Sequence, residues 1–337
     1  MKIIIFKPRL DIAFKHEGPP PPKSNLPLPP IRQHWENFVT KLSEDHQNKG
    51  HEVTIIEKVC KQISKRDIDS VDANLIYIPH TEKKTFGGDS RCRYYMQTVF
   101  PWLFTIDELG WGGGASFVNK GISNEFDYGL TFKEFQQRTW TKESKFEQPR
   151  NDIDLDKYGE YILAPLQLPH DETIKYHSHI EVKDFIEGLT NWAKESKINI
   201  VFKGHPANPQ SLYHFREYIS SSKNCFWIEN ANIHDLMNRA KACYVINSGT
   251  GFEAMLHEIP VVRFGDAEYN SAVIQGDIND LTKTWEHVNM VHKPGMILKY
   301  AKFYSHFVNN ICYDSRIKKY GLHRYKNKRN RRLVKGQ

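Results

Sequence analysis

The chain has 337 residues, 39% of them hydrophobic and 12% aromatic, with a formal net charge of +7. That is enough apolar material for two packed domains or one large one. No apolar run reaches the roughly 18 residues that a membrane-spanning helix needs. Five scattered cysteines without a CxxC pair argue against a structural zinc site or a disulfide framework, and they point to a reducing cytoplasm.

The opening segment MKIIIFKPRLDIAF interrupts its apolar run at Lys7, Pro8, Arg9 and Asp11. It therefore reads as a strand that opens a domain, not as a signal peptide. Strands are predicted at residues 2–6, 52–56 and 74–78, the last running into Pro79-His80, with a helix over 31–49. Between the first strand and that helix, GPPPPKSNLPLPP can be neither helix nor central strand. It is either an ordered polyproline lip over a cleft or a linker. In FTIDELGWGGGASF, Gly112, Gly113 and Gly114 let the backbone pass close to a neighbour. Residues 132–156 are polar and charged, and read as the crossing between two domains.

After that crossing the pattern becomes regular. Strands at 161–166, 198–202, 225–228, 243–246 and 260–264 alternate with helices at 182–195, 209–220, 233–239 and from Phe252. A further amphipathic helix is predicted over 297–311. This alternation predicts βαβ units and a parallel sheet. Right-handed crossovers then bring the strand ends, with Gln167, His205, Glu229 and Ser248, to the one edge where such sheets bind ligands. The expected division is 1–155 for a first, acceptor-side domain, 156–310 for a nucleotide-binding domain, and 311–337 for a terminal segment.

Chemistry concentrates at that edge. In NSGTGFE a strand turns through small residues into a helix, so Asn247, Ser248, Gly249 and Thr250 can hold a phosphate and Glu253 can reach ribose hydroxyls. The alternative is a tight turn with no ligand. GTGFEA also fits the dinucleotide fingerprint, with Asp266 or Glu268 as the ribose carboxylate, although it follows three or four earlier strands instead of opening the domain. In KGHP, His205 can donate to a phosphate and Lys203 can add charge. The segment from Ala164 to His179 presents Gln167, His170, Asp171, Glu172, His177 and His179. Asp171 is suited to glycosyl chemistry as nucleophile or base, or else caps a helix. The three histidines lack a recognised metal-ligand pattern. The Asp67/Asp69 and Asp152/Asp154 pairs echo a D-x-D metal motif but follow no convincing buried strand. Asp107, Glu108 and Trp111 can build an acceptor site or simply pack on the cleft. The basic tail, with Lys326, Lys328, Arg329, Arg331, Arg332 and Lys335, is either a solvated terminus or a contact with anionic lipid; nothing in it suggests nucleic-acid binding.

PLQ…D from Pro165 to Asp171, KGHP, and NSGTGFEAMLHEIPVVRFGDAEY together resemble the bacterial capsular-polysaccharide β-Kdo transferase family. The resemblance is clearest over 160–270 and fainter in IDELGWGGGAS. It implies a GT-B-like pair of Rossmann domains facing across a cleft, with a CMP-Kdo donor held mainly by the second. By the same resemblance His205 and Ser248 meet the CMP phosphate, Asp171 is the nucleophile of a retaining double displacement, and Glu108 is the acid/base. A glycan or glycolipid is the acceptor, and no metal or other cofactor is expected. Glu172 beside Asp171 leaves open which carboxylate acts, and CMP-sialic acid is an alternative donor. The rival readings are a nucleotide-sugar epimerase on the same plan, a non-catalytic nucleotide-sugar or glycan binder, and, more distantly, an NAD-dependent enzyme.

Overall fold

The computed structural model describes residues 1–14, 16, 18–24, 26–122, 128–148, 153–206 and 208–316. The first half of the chain runs β1 (Lys2–Pro8), α1 (Pro30–Gln47), β2 (Glu52–Lys58), α2 (Lys65–Asp69), β3 (Leu75–Pro79), β4 (Cys92–Gln97), β5 (Leu103–Asp107) and α3 (Tyr128–Trp140). The second continues with β6 (Tyr161–Pro165), α4 (Glu172–His177), α5 (Val182–Ser196), β7 (Asn199–Lys203), α6 (Tyr213–Ser221) and β8 (Cys225–Ile228). It is completed by α7 (Ile233–Arg239), β9 (Ala242–Val245), α8 (Thr250–Leu256), β10 (Val261–Arg263), β11 (Ile274–Gln275), α9 (Leu281–Asn289), α10 (Lys293–His306) and β12 (Cys312–Asp314).

These strands make two six-stranded sheets. In the second, every pairing is parallel and the order is β11-β10-β9-β6-β7-β8. Counted from β6 this is the 3-2-1-4-5-6 order of a dinucleotide-binding sheet, whose direction of winding reverses between β6 and β9. Strand β6 is buried at all five residues, as expected for a central parallel strand with helices on both faces. The first sheet has the order β12-β5-β4-β3-β1-β2, parallel from β2 to β4 and antiparallel at β5 and β12.

Three strands of the first sheet escape the sequence pattern. β4 and β5 form a hairpin whose turn carries no glycine or asparagine, using Thr98 and Pro101 instead, with Thr98 N donating to Leu103 O at 2.9 Å. β12 returns from the far end of the chain to pair with β5. The predicted crossing at 132–156 is partly helical: α3 buries Thr131, Phe132, Phe135 and Thr139. Its phenylalanines, three residues apart, join one apolar cluster with Phe252 of α8 and Tyr304 of α10. Helix α4 stands where a loop was expected, because Asp171 caps it. The basic tail residues from Lys326 onward, and Asp152 of the second D-x-D pair, lie outside the described residues.

Candidate functional site

At the reversal between β6 and β9 lies a cavity of about 270 Å³ lined from both sheets. Gln167, just past β6, and Asn247, just past β9, bridge that point. Gln167 Nε2 donates to Asn247 Oδ1 at 3.0 Å and Asn247 N donates back to Gln167 Oε1 at 3.1 Å. Gln167 Nε2 also donates to Thr173 Oγ1 at 2.9 Å, and Asn247 Nδ2 to Thr173 O at 2.8 Å. Thr173 in turn donates its N–H and its hydroxyl to Asp171 Oδ1, at 2.9 and 2.8 Å. Two strand ends thus hold the first turn of α4, and the turn holds Asp171 at the cavity wall. Asn247 thus serves to join β6, β9 and the first turn of α4 through its own hydrogen bonds.

The adjacent carboxylates have separate environments. Glu172 is buried and ion-paired with Lys61 and, at 2.8 Å, with His80 Nδ1, both from the first half of the chain. Burial pushes its pKa up, but His80 and Lys61 outweigh burial and hold it at about 2. Asp171 lines the cavity and Glu172 does not. His80, at φ 54°, stacks on buried Trp111 with ring centroids 5.1 Å apart. Trp111 packs edge-on against His177 at 5.0 Å, and His177 Nε2 faces Glu82 at 3.3 Å.

The glycine run passes against the second half of the chain. A Cβ on Gly113 would lie 2.3 Å from Asp266 O, and one on Gly114 2.8 Å from the His177 ring. Gly113→Ala is therefore expected to cost about 1–3 kcal/mol of stability through overpacking against backbone, read as a lower urea midpoint with an unchanged m-value.

In the 248–250 turn, Ser248 Oγ accepts from Thr250 N at 3.2 Å and from Thr250 Oγ1 at 2.8 Å. Tyr269, fully buried, donates its hydroxyl to Ser248 O at 2.5 Å and closes the turn from below. A Cβ on Gly251 would fall 2.4 Å from that ring, so only glycine fits. Gly249 lies against Val99 of the first half, at the cavity rim.

Three cationic or titratable donors share the cavity. Lys203 is buried, with Nζ donating to Gly204 O at 3.1 Å and Glu229 O at 2.9 Å; burial lowers its pKa to about 8. His205 is partly buried and packs edge-on against Phe146 at 5.3 Å. Burial lowers its pKa, and the Asp171 charge works against that. Lys145 donates to Thr98 O at 3.0 Å, and enclosure lowers its pKa to about 8 despite Glu268, Asp171 and Glu253 nearby. Burial raises the carboxyls of both Glu253 and Glu268 to about 7.

Asp171, Lys203, His205, Asn247, Ser248, Gly249, Thr250 and Glu253 all line this one cavity. Glu108 does not. It is exposed on the turn after β5, because the neighbouring Asp107 takes the inward position. Asp107 is buried and fully engaged: Oδ1 accepts from Leu109 N, Gly110 N and Ser116 N, and Oδ2 from Ser116 Oγ. It organises the glycine turn and is spent in doing so. Glu253 lines the cavity, and its Oε1 accepts from Ser144 Oγ at 2.6 Å. His177 is buried while His170 and His179 are exposed, and among the described residues no group of three His, Cys, Asp or Glu is placed to hold a metal. Lys145 and Ser144 were missed by sequence reasoning. They stand in the polar crossing, where no spacing marks them.

Residues 123–327 match the protein family described as capsule polysaccharide biosynthesis protein. The chain belongs to that family. Among curated relatives, the capsule polysaccharide modification protein LipB of Neisseria meningitidis is 24% identical over 146 residues, 40% of this chain and 35% of LipB. The capsule polysaccharide export protein KpsS of Escherichia coli is 29% identical over 133 residues, 36% of this chain and 33% of KpsS. The chain thus spans about a third of the length of the curated relatives it matches. Among solved structures, the β-Kdo 2,7 transferase KpsC of Thermosulfurimonas dismutans is similar at 13% identity and TM-score 0.48, covering 83% of this chain and 88% of that one. A UDP-GlcNAc 2-epimerase of Methanocaldococcus jannaschii is similar at 12% identity and TM-score 0.38, covering 87% and 94%. This capsule-family chain has the expected GT-B-like arrangement of two α/β sheets with a cavity between them. Among its described residues no helix is long and apolar enough to cross a membrane.

Proposed function

We propose that this capsule-family protein is a glycosyltransferase that moves Kdo from CMP-Kdo to a capsular or surface glycan acceptor with retention of configuration. The observation that carries this reading is the convergence of Asp171, His205 and the 248–250 turn on one cavity at the sheet's reversal point. The turn's hydroxyls and amides, His205 and Lys203 suit a cytidylate phosphate, and stabilising the departing phosphate is the main electrostatic task of such a reaction. Asp171 supplies an anionic oxygen beside them. It attacks the anomeric carbon, the C–O bond to the phosphate breaks with its electron pair going to CMP, and the acceptor oxygen, releasing its hydroxyl proton, then displaces Asp171. No metal takes part in this scheme; lysines and hydrogen-bond donors balance the phosphate. Walls from both sheets exclude water from the glycosyl-enzyme intermediate.

The test is a thermal-shift comparison of CMP, UDP, GDP and NAD, repeated on His205→Ala, followed by transfer assays with CMP-Kdo and CMP-sialic acid. CMP is expected to stabilise the wild type and to lose most of that effect in the variant. A preference for UDP, with epimerisation of UDP-GlcNAc in the absence of acceptor, would replace this reading with the epimerase one. CMP affinity is also expected to weaken above about pH 8. There Lys145 and Lys203 lose their protons in the free protein, and binding then has to restore them. Isothermal titration across pH 6.5–9.5 in buffers of different ionisation enthalpy would show the proton uptake.

A further inference from the structure

From the cavity wall at Glu253, a file of hydrogen-bonded groups runs to the surface. Glu253 Oε1 accepts from Ser144 Oγ at 2.6 Å. Ser144 Oγ lies 3.1 Å from His234 Nε2, whose Nδ1 lies 2.8 Å from His257 Nε2. His257 Nδ1 in turn lies 2.7 Å from Oδ1 of exposed Asn238. Glu253 and His234 are buried and His257 is partly exposed. His234 Nε2 also lies 3.0 Å from Glu143 O, which can only accept. That contact places a hydrogen on His234 Nε2, and Asn238 Oδ1, likewise an acceptor, calls for one on His257 Nδ1. A proton passes along this file by exchange of tautomers in the two rings.

We propose that Ser144, His234 and His257 form a proton relay that keeps Glu253 charged with a proton, and that Glu253 gives this proton to the departing phosphate group of the donor. The proposal rests on the glycosyltransferase reading above, and it fills the acid role that Glu108, which does not line the cavity, leaves open. In the step, the bond between the anomeric carbon and the phosphate oxygen breaks, and its electron pair stays on that oxygen. The Glu253 proton moves to the phosphate, and CMP carries it away. The acceptor hydroxyl releases its proton as its oxygen displaces Asp171, and a proton from solvent, entering the file at His257, passes through His234 and Ser144 to leave Glu253 neutral again.

Glu253 is faced by Lys145 and Ser144 from the crossing, Arg138 of α3, His234 of α7, Cys243 of β9 and Tyr304 of α10. The two cations favour its ionised form, and burial outweighs them, so the carboxyl holds its proton up to about pH 7. A carboxyl in that range is matched to proton transfer at neutral pH. Neither histidine competes for the proton: burial lowers His234, and burial with the neighbouring His234 charge lowers His257 to about 4. They pass protons without storing them.

The experiment pairs Glu253→Gln with His234→Ala. Glu253→Gln is expected to lower kcat for CMP-Kdo about 10²- to 10³-fold with CMP affinity by calorimetry unchanged, and to remove the alkaline limb near pH 7 from the kcat profile. His234→Ala is expected to slow turnover about tenfold and to recover with added imidazole. Unchanged rate and pH profile in Glu253→Gln, while the wild type transfers sugar, would overturn the relay and leave the glycosyltransferase reading standing. Infrared difference spectroscopy reads the same group without turnover: a protonated carboxyl band is expected to titrate near pH 7 in the wild type and to be missing in Glu253→Gln. Absence of that band in the wild type would overturn the proposal whatever the donor proves to be.

Discussion

Asp171→Asn is expected to reduce sugar transfer by about 10³-fold or more while leaving CMP binding and the fold intact. Asparagine caps a helix as well as aspartate does, so the Thr173 hydrogen bonds and the first turn of α4 survive. Only the charge and nucleophilicity are lost. Asp171→Ala removes the cap as well, and is expected to cost about 1 kcal/mol of stability beyond the same loss of activity. The two variants therefore separate the capping role from the chemical one. Rapid quenching of the wild type with CMP-Kdo and no acceptor, followed by peptide mass analysis, should find the sugar on the Asp171 peptide. An Asp171→Asn enzyme with near-normal kcat would mean that the residue is only a cap.

Glu172→Ala is expected to destabilise the fold by about 3 kcal/mol, the largest stability effect of any single change considered. The carboxylate is buried between His80 and Lys61, and its removal leaves the Lys61 charge and the His80 ring without their buried partner. The figure stands at the low end for a buried pair because Lys61 keeps contact with solvent. The sign with pH follows from the depressed pKa. Folded, Glu172 titrates at about 2, below its ordinary 4.5. Its stabilisation is fully present above 4.5 and fades as pH falls toward 2. Urea unfolding of the wild type and Glu172→Gln at pH 7, 5, 4 and 3 should thus give a gap that narrows on acidification. A constant gap would show that shape, not charge, sets the contribution. Because Glu172 directly follows Asp171, the pair also ties the placement of Asp171 to the first half of the chain.

Much of the second half could be read from residue pattern alone. Short apolar runs such as YILAP, NIVFK and CFWI, each followed by an amphipathic stretch, leave parallel β-strands with crossover helices as the consistent solution. Their alternation then decides which ends carry Gln167, His205 and Ser248. Small residues after β9 likewise announce a tight turn, and Gly251 is glycine because Tyr269 occupies the place of a side chain. The first half was less legible. The β4–β5 hairpin lacks turn glycines, and β12 is three residues whose pairing with β5 spans some two hundred positions of chain, which no local periodicity encodes.

Sequence by itself determined that Asp171, His205 and the 248–250 turn reach one edge, since strand direction and crossover hand follow from local chain geometry. Only the tertiary structure decided how each carboxylate is used. Asp107, not Glu108, faces inward and is consumed by four donors; Glu172 is taken by Lys61 and His80 from the first half of the chain; Lys145 and Ser144 enter the cavity from a polar crossing. Charge, protonation and access depend on neighbours distant in the chain, and those neighbours are assigned only when the two sheets close on each other.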